Sequence, residues 1–177
     1  TLLNRYIKNE RMINHSLASE AVMRALAGRL DEDEEKWGMA GLLHDLDIEL
    51  VDGDLKRHGV EAERILAGNG VDPEIIDAIV MHNEIATGKA RHTKFQHALA
   101  AGETITGLIV ATAMVYPDRK LSSVKVKSII KRMKEKAFAA SVNRDNIMEC
   151  EQLGIGIQEF AEISLVSMLN LSDTMGL

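Results

Sequence analysis

The sequence predicts an all-α fold, a compact helical bundle of eight or nine helices. Apolar residues recur three and four positions apart along nearly the whole chain, which is the period of a helix with one buried face. No segment alternates apolar and polar residues convincingly, as a half-buried strand would. With 177 residues, of which 46% are hydrophobic, the chain is expected to form one domain with a substantial core.

Local signals support the predicted helix boundaries. The ranges, in chain order, are about 2–10, 16–30, 31–45, 58–66, 73–84, 94–116 and 122–139, followed by helices that begin near 143 and 157. The third begins in the acidic segment Asp31–Glu35, because acidic side chains stabilise the positive end of the helix dipole. Pro73 suits the first position of the fifth helix, and Pro117 closes the long sixth helix. Gly154 and Gly156 separate the last two helices.

Composition predicts a cytoplasmic protein that does not enter a membrane and is an unlikely partner for nucleic acid. The formal net charge is −6 and aromatic residues make up 3% of the chain, so neither a basic face nor a set of stacking rings is expected. The single cysteine, Cys150, fits a reducing compartment. The longest apolar stretch, Ile105–Val115, is about half the roughly 20 residues that a membrane span needs. The first residues do not resemble a basic, apolar leader.

Four polar residues lie on predicted apolar helix faces and indicate a binding site. They are His15, His44, His82 and Glu103. Any one such histidine is more often a hydrogen-bonded core residue, but a buried carboxylate such as Glu103 needs a partner or a metal ion. Inward polar groups on several facing helices are how helical bundles build metal sites. The coincidence of these residues therefore favours a site.

His44-Asp45 is the sharpest local motif. It closes the apolar helix that contains Gly41–Leu43 and follows His15 by 29 residues. An imidazole nitrogen beside a carboxylate oxygen suits a divalent ion such as Mn, Fe, Co, Ni or Zn better than Ca. An aspartate at a helix end can also reach a second ion or hold a metal-bound water. We therefore predict a divalent metal held by His15, His44 and Asp45.

Several segments of the chain carry a resemblance to a known family. They are Leu42-Leu43-His44-Asp45-Leu46-Asp47, His58-Gly59, Ala78-Ile79-Val80-Met81-His82-Asn83, Thr106-Gly107-Leu108-Ile109 and Val124-Lys125-Val126-Lys127-Ser128. In this order, and together with His15 and Glu103, they resemble the HD-domain superfamily of metal-dependent phosphohydrolases, and look closest to small bacterial HDIG-type predicted hydrolases. The resemblance implies one domain over residues 1–177, with a metal-binding core at about 10–115 and a helical extension at about 118–177.

The resemblance also implies roles for individual residues. One or two divalent ions (Mn, Fe, Ni, Co, Zn or Mg) would be held by His15, His44, Asp45 and Glu103. The last ligand in the family is usually aspartate, whereas this chain has Glu103. Asp45 would also orient the attacking water. We assign His58 and His82 to the phosphate or to a second ion, since His58 lies at a predicted helix start that favours an anion.

The leading functional hypothesis is a metal-dependent phosphohydrolase, a phosphomonoesterase or phosphodiesterase. Its substrate would be a small phosphorylated molecule, with a nucleotide as the favoured example. Many active members of the family carry a lysine three residues after the aspartate of the doublet, where this chain has Ile48. Arg57 or the basic segment Arg119–Lys136 could supply that charge instead.

Two other hypotheses stay open at this stage. The exchanges at Ile48 and Glu103 are also consistent with a non-catalytic metal- or nucleotide-binding module of the same fold, used for sensing or assembly. A helical adaptor would use the segment Arg119–Lys136, which holds eight Lys or Arg against the single acid Glu135, although a solvated helix face is the simpler interpretation. The sequence contains no phosphate-binding Gly-rich loop and no dinucleotide fingerprint. Association with further copies of the chain, as a homo-oligomer, is not decided by these patterns.

Overall fold

The computed structural model describes all 177 residues and contains α-helices and short 3₁₀ helices but no strand. The α-helices are α1 Leu2–Tyr6, α2 Glu10–Leu30, α3 Glu34–Leu43, α4 Val60–Gly68, α5 Pro73–His82, α6 Glu84–Thr87, α7 Lys94–Met114, α8 Val126–Lys134, α9 Arg144–Met148, α10 Ile157–Leu169 and α11 Ser172–Met175. Two 3₁₀ helices cover Leu121–Ser123 and Glu149–Leu153. The predicted all-α bundle is confirmed.

The structure has eleven α-helices, whereas the sequence predicted eight or nine helices. The additional elements are short: α6 and α11 have four residues each. Asn83 causes the break between α5 and α6, since its backbone is extended and its side chain caps α6 by accepting from the N–H of Ile85. The predicted fifth helix therefore ends at His82 rather than near Glu84.

Two further boundaries differ from the prediction in ways that matter for the site. Helix α2 begins at Glu10, because the Asn9 side chain accepts a hydrogen bond from the N–H of Arg11 and caps it there. His15 consequently lies inside α2 rather than just before it. Helix α3 ends at Leu43, so His44 and Asp45 lie in the turn that follows.

Helix α7 is the centre of the bundle and packs against α2, α3, α5, α8, α9 and α10. A capping box between Thr93 and Gln96 fixes the start of this helix. The side chain of each residue accepts a hydrogen bond from the backbone N–H of the other. This helix is long and apolar enough to cross a membrane by length and composition, but 67% of the relevant window is buried inside the bundle. That burial is expected of the core helix of a soluble protein.

Gly41 allows α2 and α3 to approach closely beside the site. A Cβ atom added at Gly41 would lie 2.5 Å from the backbone carbonyl oxygen of Ser19 on α2. Only glycine fits between two backbones at that distance. The pair α2–α3 therefore brings the residue that follows Leu43 next to the middle of α2.

The segment after residue 118 shares the core of the preceding helices. A single cluster of 36 buried hydrophobic residues joins Leu26 of α2 and Leu108 of α7 to Phe160 and Leu165 of α10. The extension thus packs as part of the same bundle, with α8, α9 and α10 all in contact with α7.

Candidate metal centre

Six sequence-predicted residues come from five separate parts of the chain and meet at one place. His15 lies in α2, His44 and Asp45 follow α3, His58 precedes α4, His82 ends α5 and Glu103 lies in α7. His44, His58 and His82 are 1%, 4% and 7% exposed, so these imidazoles lie inside the protein. Asp45 is 9% exposed and lies among them.

One group of donor atoms consists of His15, His44 and Asp45. The Nε2 atoms of His15 and His44 are 3.1 Å apart. The Oδ2 atom of Asp45 lies 3.5 Å from Nε2 of His15 and 3.4 Å from Nε2 of His44. Two imidazole nitrogens and one carboxylate oxygen therefore lie close enough together to bind one ion.

A second group uses the other oxygen of the same aspartate, together with His58 and His82. The Nε2 atoms of His58 and His82 are 3.0 Å apart. The Oδ1 atom of Asp45 lies 3.1 Å from Nε2 of His58 and 3.8 Å from Nε2 of His82. Asp45 thus presents one oxygen to each pair of histidines.

The Nδ1 atom of each of these histidines has a partner inside the protein. For His44 and His82 the partners are the backbone carbonyl oxygens of Gly41 and Ile79, three residues earlier in each case. A carbonyl oxygen only accepts, so Nδ1 carries the proton and Nε2 presents its lone pair. The local helix geometry therefore fixes the tautomer of both rings.

His15 is oriented in the same way by a hydroxyl group of α7. Its Nδ1 atom is 3.0 Å from Oγ1 of Thr106, whose own proton is donated to the carbonyl oxygen of Glu103 at 2.7 Å. Because that hydroxyl already donates, it accepts from Nδ1–H of His15. The Nε2 lone pair of His15 then points toward His44 and Asp45.

The donor set fits a pair of divalent ions. In each group two imidazole Nε2 atoms face one another at about hydrogen-bond distance, and when both rings are neutral their Nδ1 partners leave both Nε2 atoms as acceptors. Two lone pairs at this distance repel unless a proton or a cation lies between them. A divalent ion held by two imidazoles and a carboxylate oxygen, with open positions remaining, resolves that repulsion.

The electrostatics of the centre favour an anionic Asp45. Burial alone would raise the pKa of this carboxyl, but the surrounding histidines, His44 first, hold the pKa of Asp45 well below its usual range. Burial would likewise lower the pKa of His58, yet the carboxylates of Asp45 and Asp47 raise it to about 9. The pKa of His44 is raised by Asp45 in the same way, against the effect of burial.

The other two histidines remain neutral near pH 7. Burial and the neighbouring His44 lower the pKa of His15 to about 4. Burial, His44 and His58 lower the pKa of His82 to about 3. Each donor group therefore contains one imidazole that needs no deprotonation before it can bind an ion.

Glu103 lies at the edge of the centre rather than within either donor group. Its Oε2 atom is 3.8 Å from Nε2 of His15, and its Oε1 atom accepts from the hydroxyl of Thr104. Burial raises the pKa of Glu103 to about 7. Glu103, predicted as a fourth metal ligand, thus lies beside the first donor group on the side of α7 but is not one of its donor atoms.

Asp47 is a site residue that the sequence patterns did not single out. It is fully buried, and its Oδ1 atom accepts from Nδ1 of His58 at 2.7 Å. Its Oδ2 atom accepts from the backbone N–H groups of Gly59 and Ala62 at 2.8 and 2.9 Å. Gly59 adopts a φ of 90°, which glycine allows, and this turn brings His58 over the first turn of α4.

Arg91 is a second residue that only the structure identifies. Its side chain is 1% exposed and donates to the carbonyl oxygens of Met81 and His82 at 3.0 and 3.1 Å. Glu149 accepts from its Nε atom at 2.8 Å. Arg91 therefore caps the end of α5 and fixes the backbone that carries His82.

The cations that the sequence suggested as replacements for the family lysine are directed elsewhere. The side chain of Arg57 is 56% exposed and lies 3.8 Å from Glu61 on α4. In α8, Lys131 and Arg132 pair with Glu135. None of these three cations contacts the histidines or Asp45.

Two cavities open beside His15. One has a volume of about 480 Å³ and lies between α2, α7 and the end of the chain around α11. The other has a volume of about 310 Å³ and is lined by Glu103, Thr104 and the polar side chains around Asn146. His15 and Gly107 line both cavities. His15 is therefore reached from a mostly apolar side and from a polar side.

Comparison with known proteins identifies the family. No curated protein and no solved structure matches the chain significantly. The family model of the HD domain matches residues 12–133, which include all six predicted site residues and extend through most of α8. The chain belongs to the HD-domain family.

Proposed function

We propose that the protein is a metal-dependent phosphohydrolase with a two-ion centre organised by Asp45. The observation that carries this proposal is the pair of donor groups that share this one carboxylate, His15 with His44 on one side and His58 with His82 on the other. Membership of the HD-domain family supports the same class of chemistry.

The proposed reaction is the hydrolysis of a phosphate ester. A water oxygen forms a bond to phosphorus, the bond from phosphorus to the ester oxygen breaks, and a proton passes to the departing alkoxide. Divalent ions in such a centre lower the pKa of water and polarise phosphoryl oxygens. The protein itself must hold the ions, orient the water and exclude competing proton donors.

The position of each residue in the site suggests its role in this reaction. His15, His44 and Oδ2 of Asp45 would hold one ion, and His58, His82 and Oδ1 of Asp45 would hold the second. Asp45 also lies where it can orient the attacking water between the two groups. Glu103 has a pKa of about 7 and lines the polar cavity, so it can hold a proton at Oε2 near the departing oxygen.

The substrate we propose is a small phosphorylated molecule, with a nucleotide as the favoured example. The cavities beside His15 are large enough for a substrate of this size, and they offer both apolar and polar walls. Whether the ester is a monoester or a diester depends on what these cavities admit, and a substrate panel decides it.

One observation favours a second candidate, a metal- or nucleotide-binding module without turnover. Ile48 occupies the position of the family lysine and is half-buried, while Arg57 points toward Glu61. No lysine contacts the histidines or Asp45. A centre that binds metal but neutralises the phosphoryl charge weakly would bind ligands without hydrolysing them.

Hydrolysis assays on metal-loaded protein separate the two candidates. A panel of nucleotides and simple phosphate esters is incubated with the wild type and with His44→Ala, each loaded with Mn, Fe, Co, Ni, Zn or Mg. We expect product release by the wild type only, because His44 belongs to the first donor group. Ligand-dependent thermal stabilisation without any hydrolysis would instead support the binding module. Equal turnover by His44→Ala would contradict the proposed function.

A further inference from the structure

The larger cavity beside the metal centre combines an apolar wall with one cationic side chain. Its apolar lining comes from α2, α7 and the end of the chain, and consists of Ala18, Val110, Ala111, Met114, Met175 and Leu177. Arg11, Asn14 and His15 line it on the side of α2. Neither this cavity nor the polar one contains any other lysine or arginine.

Arg11 is the cation best placed to act on a ligand of the metal centre. It lies four residues before His15 in α2, and side chains at this spacing share a helix face with Cβ atoms about 5–6 Å apart. Both residues line the same cavity. An anion bound in this cavity beside His15 would therefore lie next to the Arg11 side chain.

No other residue of the chain uses the Arg11 side chain. It forms no ion pair and no side-chain hydrogen bond, whereas Arg24 and Arg29 of the same helix pair with glutamates. A guanidinium forms strong, bidentate hydrogen bonds with phosphate oxygens. Arg11 thus offers an exposed, unpaired guanidinium beside a site in which Ile48 stands where many family members have lysine.

The apolar wall indicates what the rest of the ligand is like. The chain places aliphatic and methionine side chains around a volume of about 480 Å³, with no acidic residue in the lining. Burying polar hydroxyl groups against such a wall would weaken binding, whereas burying an apolar group there would strengthen it. The side-chain amide of Asn14, which makes no hydrogen bond within the chain, is the available polar contact.

We propose that this cavity binds the organic group of the substrate and that Arg11 binds its phosphoryl oxygens. The substrate class that follows is a phosphate ester whose organic group is largely apolar and fits beside Val110 and Met114, and this narrows the proposed small phosphorylated substrate away from a nucleotide with its polar sugar. This inference rests on the proposed function, because it assigns the phosphoryl group to the metal centre. Arg11 would supply the positive charge that Ile48 cannot.

Binding of inorganic phosphate tests the role of Arg11 without requiring turnover. Titration calorimetry is carried out on Mn-loaded wild type, Arg11→Gln and the control Arg5→Gln, which removes an exposed arginine of α1 away from the centre. We expect Arg11→Gln to weaken phosphate binding about tenfold, as for loss of a charged hydrogen bond. Its metal content and the phosphate affinity of Arg5→Gln should stay at the wild-type level. Unchanged phosphate affinity in Arg11→Gln would overturn the assignment.

The organic subsite is tested with two esters of different polarity. Naphthyl phosphate should be hydrolysed with a higher kcat/KM than glycerol phosphate, and Ala111→Leu, which fills the cavity, should reduce kcat/KM for naphthyl phosphate about tenfold or more. Phosphate affinity should not change in Ala111→Leu. Equal kcat/KM for both esters, or no effect of Ala111→Leu, would overturn the apolar subsite. If wild type hydrolyses neither ester and binds no phosphate, the proposed function fails and this inference fails with it.

Discussion

At the scale of single residues, the site depends on side chains that fix the histidines as much as on the histidines themselves. Asp47 shows this most clearly, since it accepts from Nδ1 of His58 and from two backbone N–H groups of α4. A carboxylate on the far side of an imidazole fixes its tautomer and makes Nε2 a better metal ligand. Asp47 therefore couples the start of α4 to the second donor group.

Substitution of Asp47 tests this coupling. Asp47→Asn keeps the size of the side chain but loses the negative charge. Three N–H groups, of His58, Gly59 and Ala62, donate to Asp47, and at least one of them would lose its acceptor. We expect the affinity of the second ion to fall about 10- to 100-fold, which is typical when the partner of a metal-binding histidine is lost. Competition with a chromophoric chelator measures the affinity. Asp54→Asn, an exposed position in the same loop, is the matched control, and equal affinities in the two variants would contradict the role of Asp47.

The raised pKa of His58 predicts that metal binding depends on pH. With a pKa of about 9, Nε2 of His58 carries a proton at pH 7 in the metal-free protein, and an ion must displace it. His15 and His82, with pKa values of about 4 and 3, are already neutral there. Affinity for the second ion should therefore rise as the pH increases toward 9 and level off above it.

Calorimetry in buffers of different ionisation enthalpy measures the protons released. We expect His58 to contribute about one released proton at pH 7 and almost none at pH 10, and His58→Gln to lose this contribution. The same number of released protons in wild type and His58→Gln at pH 7 would show that His58 is not protonated in the metal-free protein.

At the scale of secondary-structure elements, the contact between α2 and α3 sets the distance between His15 and His44. Gly41 is essential to it, because an added Cβ would lie 2.5 Å from the Ser19 carbonyl oxygen. The carbonyl oxygen of Gly41 also accepts from Nδ1 of His44 at 2.8 Å. One glycine thus controls both the helix spacing and the orientation of a ligand.

Gly41→Ala should therefore damage both stability and metal binding. Separating two packed backbones is an overpacking change, which costs about 1–3 kcal/mol of the free energy of unfolding. Gly107→Ala is the matched control: its Cβ would lie 3.6 Å from a methyl group of Val142, and alanine favours helix over glycine by up to about 1 kcal/mol. Denaturant unfolding of both variants measures the difference. A Gly41→Ala variant as stable as wild type would contradict the close contact.

The helix boundaries show what periodicity can and cannot predict. The apolar pattern and the caps located the long helices, and α7 begins at Lys94 as predicted. The start of α2 was placed six residues too late, because Asn9 caps the helix through its side chain and a sequence pattern does not reveal which of several polar residues does so. The basic helix is shorter than predicted and spans Val126–Lys134.

At the scale of the whole molecule, the fold brings together residues that are far apart in the sequence. His15, His44 and His82 could be predicted to face inward, because each continues an apolar stripe of its helix. The family resemblance also assigned His58 and His82 to the phosphate or to a second ion, but it could not predict that Asp45 turns one oxygen toward each pair of histidines, since that depends on how α2, α3, α4 and α5 pack. The roles of Thr106 and Arg91 could not be predicted for the same reason. Thr106 bonds His15, which is 91 residues away, and Arg91 bonds Glu149, which is 58 residues away.

If Asp45 holds two ions through its two oxygens, the number of ions bound per chain must depend on this one carboxylate. Wild type, His44→Ala, Asp45→Ala and the exposed control Asp54→Ala are loaded with Mn, desalted and measured by elemental analysis alongside protein concentration. We predict about two equivalents in wild type and in Asp54→Ala, at most one in His44→Ala, and none in Asp45→Ala. A wild type that binds no ion, or an Asp45→Ala variant that still binds two, would rule out a two-ion centre held by Asp45.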